Sequence, residues 1–133
     1  MSPENAEVDN AVVRRWIWAF ENDTDAFRDT LHPEIEWFPI DENRGRLYGI
    51  EAAMRNRNEW FETWDEHRLE ADEVASEGDS VVVCVHITAR GKISGAEVDV
   101  RFYAHVKLRD GKVVYIYDHE DRTAALEAAG LSE

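Results

Sequence analysis

The chain has 133 residues, 44% of them hydrophobic, and a formal charge of −14. It is long enough to bury roughly two thirds of its unfolded surface in one domain over residues 1–133, and its acidity argues against nucleic acid or an anionic membrane as partner, since both reward the opposite sign. No apolar run nears the roughly 20 residues of a membrane span, Met1-Ser2-Pro3-Glu4 opens no signal-peptide pattern, and the lone Cys84 can form no internal disulfide, so a cytoplasmic location is expected.

Residues 6–21 read as an amphipathic helix, with Val8, Val12, Trp16 and Phe20 recurring at helical spacing. A second short helix, 24–31, runs into His32-Pro33, where proline stops it. Ile35 and Trp37 then alternate with acidic residues as a short strand. Residues 45–49 read as a loop, and Gly49 opens a helix carrying Ile50, Ala53, Met54, Arg57, Trp60, Phe61 and Trp64. Strands are expected over 67–77, 80–90, 96–108 and 112–118, followed by a helix that Asp121 opens and Gly130 ends. Helices first and a run of antiparallel strands after them indicate an α+β fold.

Arg109-Asp110-Gly111 lies between two alternating runs, a strong hairpin signal. A two-residue turn at Asp110-Gly111 would set Val106 opposite Tyr115 and Ala104 opposite Tyr117. A three-residue loop sets Leu108 opposite Lys112, Val106 opposite Val114, Ala104 opposite Ile116 and Phe102 opposite Asp118. The second register gathers Phe102, Ala104, Val106, Leu108, Val114 and Ile116 on one face, so burial favours it. Asp118 is then the only charge on that inner face, at the end of a central strand where sheet meets helix.

Strand 80–90 splits into an apolar row, Val81, Val83, Val85 and Ile87, and a second row of Val82, Cys84, His86, Thr88 and Arg90. The second row joins Arg101, Tyr103, His105, Lys107, Tyr115, Tyr117 and His119 on an outer face whose mixture suits association. His86, His105 and His119 lie on neighbouring strands, but no H-x-x-x-H or C-x-x-C spacing supports a metal, and none is expected. His32 and His67 fall near element ends and read as solvated. No G-x-S-x-G motif favours covalent catalysis.

From Leu108 to Leu131 the chain resembles the SnoaL-like branch of the nuclear transport factor 2-like superfamily: an apolar strand, an R-D-G-K hairpin, a strand ending in an acidic residue, and a helix reading D-R-x-x-A-L-E-A-A-G-L. His32-Pro33-Glu34-Ile35-Glu36-Trp37 and Gly49-Ile50 fit the same element order. The resemblance implies a curved antiparallel sheet wrapped as a cone around N-terminal helices, with a short C-terminal helix and a pocket inside. It also implies a homodimer through the outer sheet face, here through His86, Arg101, Tyr103, His105, Tyr115 and Tyr117.

In such a cone the ligand-binding residues would be Trp16, Phe20, Trp37, Met54, Trp60, Phe61, Trp64, Val83, Val85, Phe102, Ala104 and Ile116. Their rigid aromatic rings either grip a small, mostly apolar, cyclic molecule or simply fill the cone. Asp118 is the candidate catalytic acid or base, because burial raises a carboxyl pKa toward neutrality, and Tyr48 is the candidate hydrogen-bond donor. A bland role for Asp118 is a salt bridge to a helix through Arg14, Arg15 or Arg57.

The superfamily's known catalytic sets are matched only in part. The limonene-epoxide-hydrolase-like branch ends the corresponding strand in an aspartate but adds an Arg-x-Asp pair, where this chain offers Val83, Val85 and Ile87. The ketosteroid-isomerase base falls at Trp37-Phe38-Pro39, and its oxyanion-hole aspartate near Ala104. The histidine that SnoaL cyclases pair with their aspartate has no inward counterpart. Two readings follow: a cofactor-independent isomerase, cyclase or hydratase, and a non-catalytic ligand-binding or dimerisation module.

Overall fold

The apolar stripe of the first helix runs through Val13, Trp16, Ile17 and Phe20, all buried. It is turned from the expected line, leaving Val8 59% exposed. This helix, α1, spans Pro3–Asn22 in the computed structural model, which describes residues 3–40 and 45–131. Asp23 caps α2 (Thr24–Asp29), its carboxylate accepting from the Ala26 N–H at 3.0 Å. The helix ends two residues early because Leu31 already pairs with Val113, opening β1 (Leu31–Phe38). Pro33 fits within that strand because it falls in the irregular stretch between the Leu31 and Glu36 pairs.

A two-residue strand, β2 (Leu47–Tyr48), lies inside the expected loop. Gly49, at φ 87°, makes the turn into α3 (Ile50–Thr63). Then come β3 (Trp64–Glu77), β4 (Ser80–Gly91), β5 (Glu97–Arg109), β6 (Lys112–His119) and α4 (Arg122–Ala129). Trp64 therefore opens a strand rather than closing a helix. As expected, Asp121 caps α4 and Gly130, at φ 74°, ends it in the left-handed conformation.

The strands form one curved open sheet in the order β2-β1-β6-β5-β4-β3. All pairings are antiparallel except β1 with β6, which is parallel. The inner face of the sheet and the buried sides of α1, α2 and α3 share one apolar core. A second, smaller cluster lies outside, where Ala125 and Leu126 of α4 cover Val82 with Tyr103 and Leu131 at its edge. Among the described residues no helix is long and apolar enough to cross a membrane.

The β5–β6 hairpin corrects the expected register. Arg109 pairs with Lys112 across a two-residue turn, with Asp110 at φ 55° and Gly111 at φ 74°. Leu108 then faces Val113, not Lys112. Between this pair and Lys107–Tyr115 the register shifts by one, so Val114 is an extra residue on β6. Val106 consequently faces Ile116, and Ala104, rather than Phe102, faces Asp118. From Ile116 onward the faces come out as expected, because a bulge changes side-chain parity just as a longer loop would, but Val113 rather than Val114 is the fully buried residue opposite Leu108.

Candidate functional site

Alternation along β1 buries Ile35 and Trp37 and leaves Glu36 more open. On the neighbouring β6, Ile116 and Asp118 take the inner face and Tyr117 the outer. Since Trp37 pairs with Ile116 in parallel register, its indole reaches forward to the next inner residue, Asp118. The Trp37 Nε1–H donates to Asp118 Oδ2 at 3.2 Å. The other oxygen, Oδ1, has no hydrogen-bond partner among the described residues, and Asp118 is only 8% exposed. Burial pushes its pKa from 3.8 to about 7, while the Trp37 indole and the Ile40 backbone N–H hold it back.

Asp118 lies on the wall of a cavity of about 350 Å³ inside the cone. Trp16, Ile17 and Phe20 line it from α1, Asn56, Trp60 and Thr63 from α3, and Trp37 from β1. Trp64, Leu69, Val85, Ile87 and Phe102 close it from β3, β4 and β5. Trp16 meets Trp37 edge-on with centroids 6.3 Å apart, and Trp60 meets Trp64 at 5.5 Å. Among the described lining residues Asp118 is the only ionisable one, and the Thr63 hydroxyl already donates to the Glu59 carbonyl at 2.9 Å.

Seven of the expected ligand-binding residues line this space: Trp16, Phe20, Trp37, Trp60, Trp64, Val85 and Phe102. Val83, Ala104 and Ile116 lie deeper, fully buried in the core, and Met54 packs with them. Phe61 stacks against Phe20 at 6.3 Å and carries the Arg57 guanidinium 4.5 Å from its ring. Leu69 and Ile87, which pair across β3 and β4, and Ile17, beside Trp16 on the buried stripe, were not among the expected lining residues, though strand alternation and helical spacing are the signals that point to them. Asn56 carries no sequence signal that separates it from a surface polar residue of α3.

Tyr48 departs from its expected role. It pairs with Glu36 while Leu47 pairs with Trp37, so alternation sends Leu47 inward and Tyr48 outward, 55% exposed beneath Arg46. Of the three arginines proposed as partners of Asp118, Arg15 is exposed on α1 and the other two are engaged elsewhere. Arg57 Nε donates to the Phe20 carbonyl at 2.7 Å and its Nη1 to Thr24 Oγ1, while Arg14 Nη1 donates to the Ala71 carbonyl.

The histidines are also placed by burial. His105 is 3% exposed, with Nε2 3.1 Å from Ser80 Oγ, and burial with nearby Lys107 lowers its pKa to about 4. His86 sits between Asp99, at 2.7 Å, and Asp72, at 3.8 Å. His67 is not solvated as expected: its ring lies 4.6 Å from that of Phe61, beside Glu21. Among the described residues no group of three or more histidine, cysteine or acidic side chains is arranged to hold a metal. Of the six residues assigned to the outer association face, His105 is thus internal and Tyr103 packs against α4. Tyr115 and Tyr117 flank Phe38 in an aromatic cluster, with Tyr117 40% exposed.

The model of the SnoaL-like domain family matches residues 13–116. Comparison with curated proteins gives no match. Among solved structures, a candidate SnoaL-like polyketide cyclase from Jannaschia sp. CCS1 is 24% identical with a TM-score of 0.77, over 100% of this chain and 98% of that one. TerC, co-crystallised with polyporic acid, is 21% identical with a TM-score of 0.74, over 92% and 97% of the two chains. An LEH-like epoxide hydrolase of M. tuberculosis is 12% identical with a TM-score of 0.74, over 94% and 91%. With the family match spanning most of the sequence, this chain belongs to the SnoaL-like domain family.

Proposed function

We propose that the cone binds a small, mostly apolar, cyclic molecule and that Asp118 performs cofactor-independent acid/base chemistry on it, of isomerase, cyclase or hydratase type. The observation that carries this reading is a buried carboxyl with a pKa of about 7 on the wall of an otherwise apolar and aromatic cavity. Near pH 7 both of its protonation states are populated, so it can take a proton from carbon and return one to oxygen without a large driving-force penalty. The tryptophan walls exclude water and hold a ring by its faces. Tyr48 has no part in this scheme. We also propose that two copies associate through the outer sheet face.

The test is native mass spectrometry of protein purified without detergent, wild type beside Asp118→Asn, with candidate cyclic ketones and enols supplied as probes. A molecule held by both proteins, converted by wild type and unchanged by the variant, is the expected result. Retention with equal conversion in both would remove Asp118 from the chemistry. Retention without conversion in either would make the protein a binding module.

A further inference from the structure

We infer that Trp37 is a positioning residue for Asp118: its indole N–H fixes Oδ2 and leaves Oδ1 as the oxygen that carries the exchangeable proton. This rests on the acid/base reading given above. The two side chains come from adjacent parallel strands, meet at 3.2 Å on the inner face, and are both buried. An oxygen already accepting an N–H is the poorer place for a proton, and Oδ1 has no hydrogen-bond partner among the described residues to compete for one. Two oxygens that would be equivalent in water are made different by the donors around them.

The indole is itself held. Trp16 packs edge-on against it at an interplanar angle of 69°, and β1 is fixed between β2 and β6. A neutral donor also suits the duty. An arginine in its place would keep the carboxyl permanently ionised, whereas an apolar residue would let burial drive it further toward the neutral form. Among the described residues the charged groups that share a surface with Asp118 are Arg46, His119, Glu120 and Asp121, which line a second, open groove with it outside the apolar cavity. Among the described residues, burial raises the Asp118 proton affinity, and the Trp37 indole and the Ile40 backbone N–H lower it.

The protein contains five tryptophans, so five indole N–H signals can be followed by nitrogen-15 NMR across pH. Wild type, Trp37→Phe, Asp118→Asn and Trp18→Phe are compared, the last altering an exposed residue of α1. One indole signal should move with a midpoint near 7, be absent from Trp37→Phe, stay still in Asp118→Asn and persist in Trp18→Phe. The Asp118 carboxyl carbon midpoint should rise by roughly half a unit or more in Trp37→Phe. An unmoved midpoint in that variant overturns the inference. Should the variant not fold, a wild type in which no indole signal titrates overturns it equally. A titrating indole in a protein that converts no retained molecule overturns the proposed chemistry and leaves the proton on Oδ1.

Discussion

Asp118 and His105 are buried on opposite faces of one sheet, and burial moves their pKa values in opposite directions. The fold holds the Asp118 proton up to about pH 7, whereas the unfolded chain releases it near 3.8. Stability therefore falls as pH rises through that window and stays reduced above it. His105 behaves oppositely. The unfolded chain protonates it below 6.5 while the fold refuses the proton down to about 4, so stability is lost as pH falls between those values. Across roughly pH 4 to 6.5 the two slopes oppose each other. Asp118→Asn keeps an acceptor for the Trp37 N–H and removes the ionisation. It should stabilise the protein at pH 8, by as much as about 4 kcal/mol from the shift of some three pKa units, and change little near pH 4. His105→Gln should leave a stability that only falls from pH 4 to 7. Urea denaturation at four pH values reads both, and an Asp118→Asn variant less stable than wild type at pH 8 would contradict the account.

The hairpin shows at the level of elements what a sequence can and cannot carry. Alternation of Ala104, Val106, Ile116 and Asp118 reports parity, and parity was legible: all four share the inner face. A three-residue loop and a two-residue turn with a bulge give the same parity, so the position of the extra residue was not legible. Likewise, the aromatic residues of α1, β1 and α3 could be assigned to the cone, but their depth could not, which is why Ile116 and Ala104 lie in the core beneath the cavity. Tyr48 was misread because a two-residue strand leaves no alternation to count. The bulge is now a testable element. Deleting Val114 would remove the extra residue and leave a regular ladder, with Val113 still opposite Leu108, Tyr115 opposite Lys107 and Asp118 inward. We expect cooperative unfolding to survive with a loss of about 1 kcal/mol, similar to that of Val114→Ala. A loss of cooperative unfolding on deletion alone, measured by chemical denaturation, would mean that the bulge itself is needed to hold the register.

For the molecule as a whole, α4 and the acidic charge together decide how two copies can meet. The helix covers the outer face over Val82 and Tyr103, so the surface left for association centres on Tyr117, Phe38 and the open rim near Arg101. Tyr117 and Phe38 stack at 5.2 Å, which presents a rigid apolar patch with polar edges, the composition expected of an interface centre. Each copy also carries a formal −14, so the approach of two copies is opposed by long-range repulsion. Salt screens that repulsion over about 10 Å at 0.1 M but leaves the contact of aromatic faces intact. The dimer should consequently tighten as salt is raised, the reverse of an interface held by ion pairs. Sedimentation at tens of micromolar should show a dimer whose dissociation constant falls between low and high salt. Tyr117→Glu should shift it to monomer without moving the Asp118 titration, because Tyr117 and Asp118 point to opposite faces of β6. A monomer at both salt concentrations would remove the outer face as an association surface, and a dimer that loosens with salt would place the contact among the charged side chains instead.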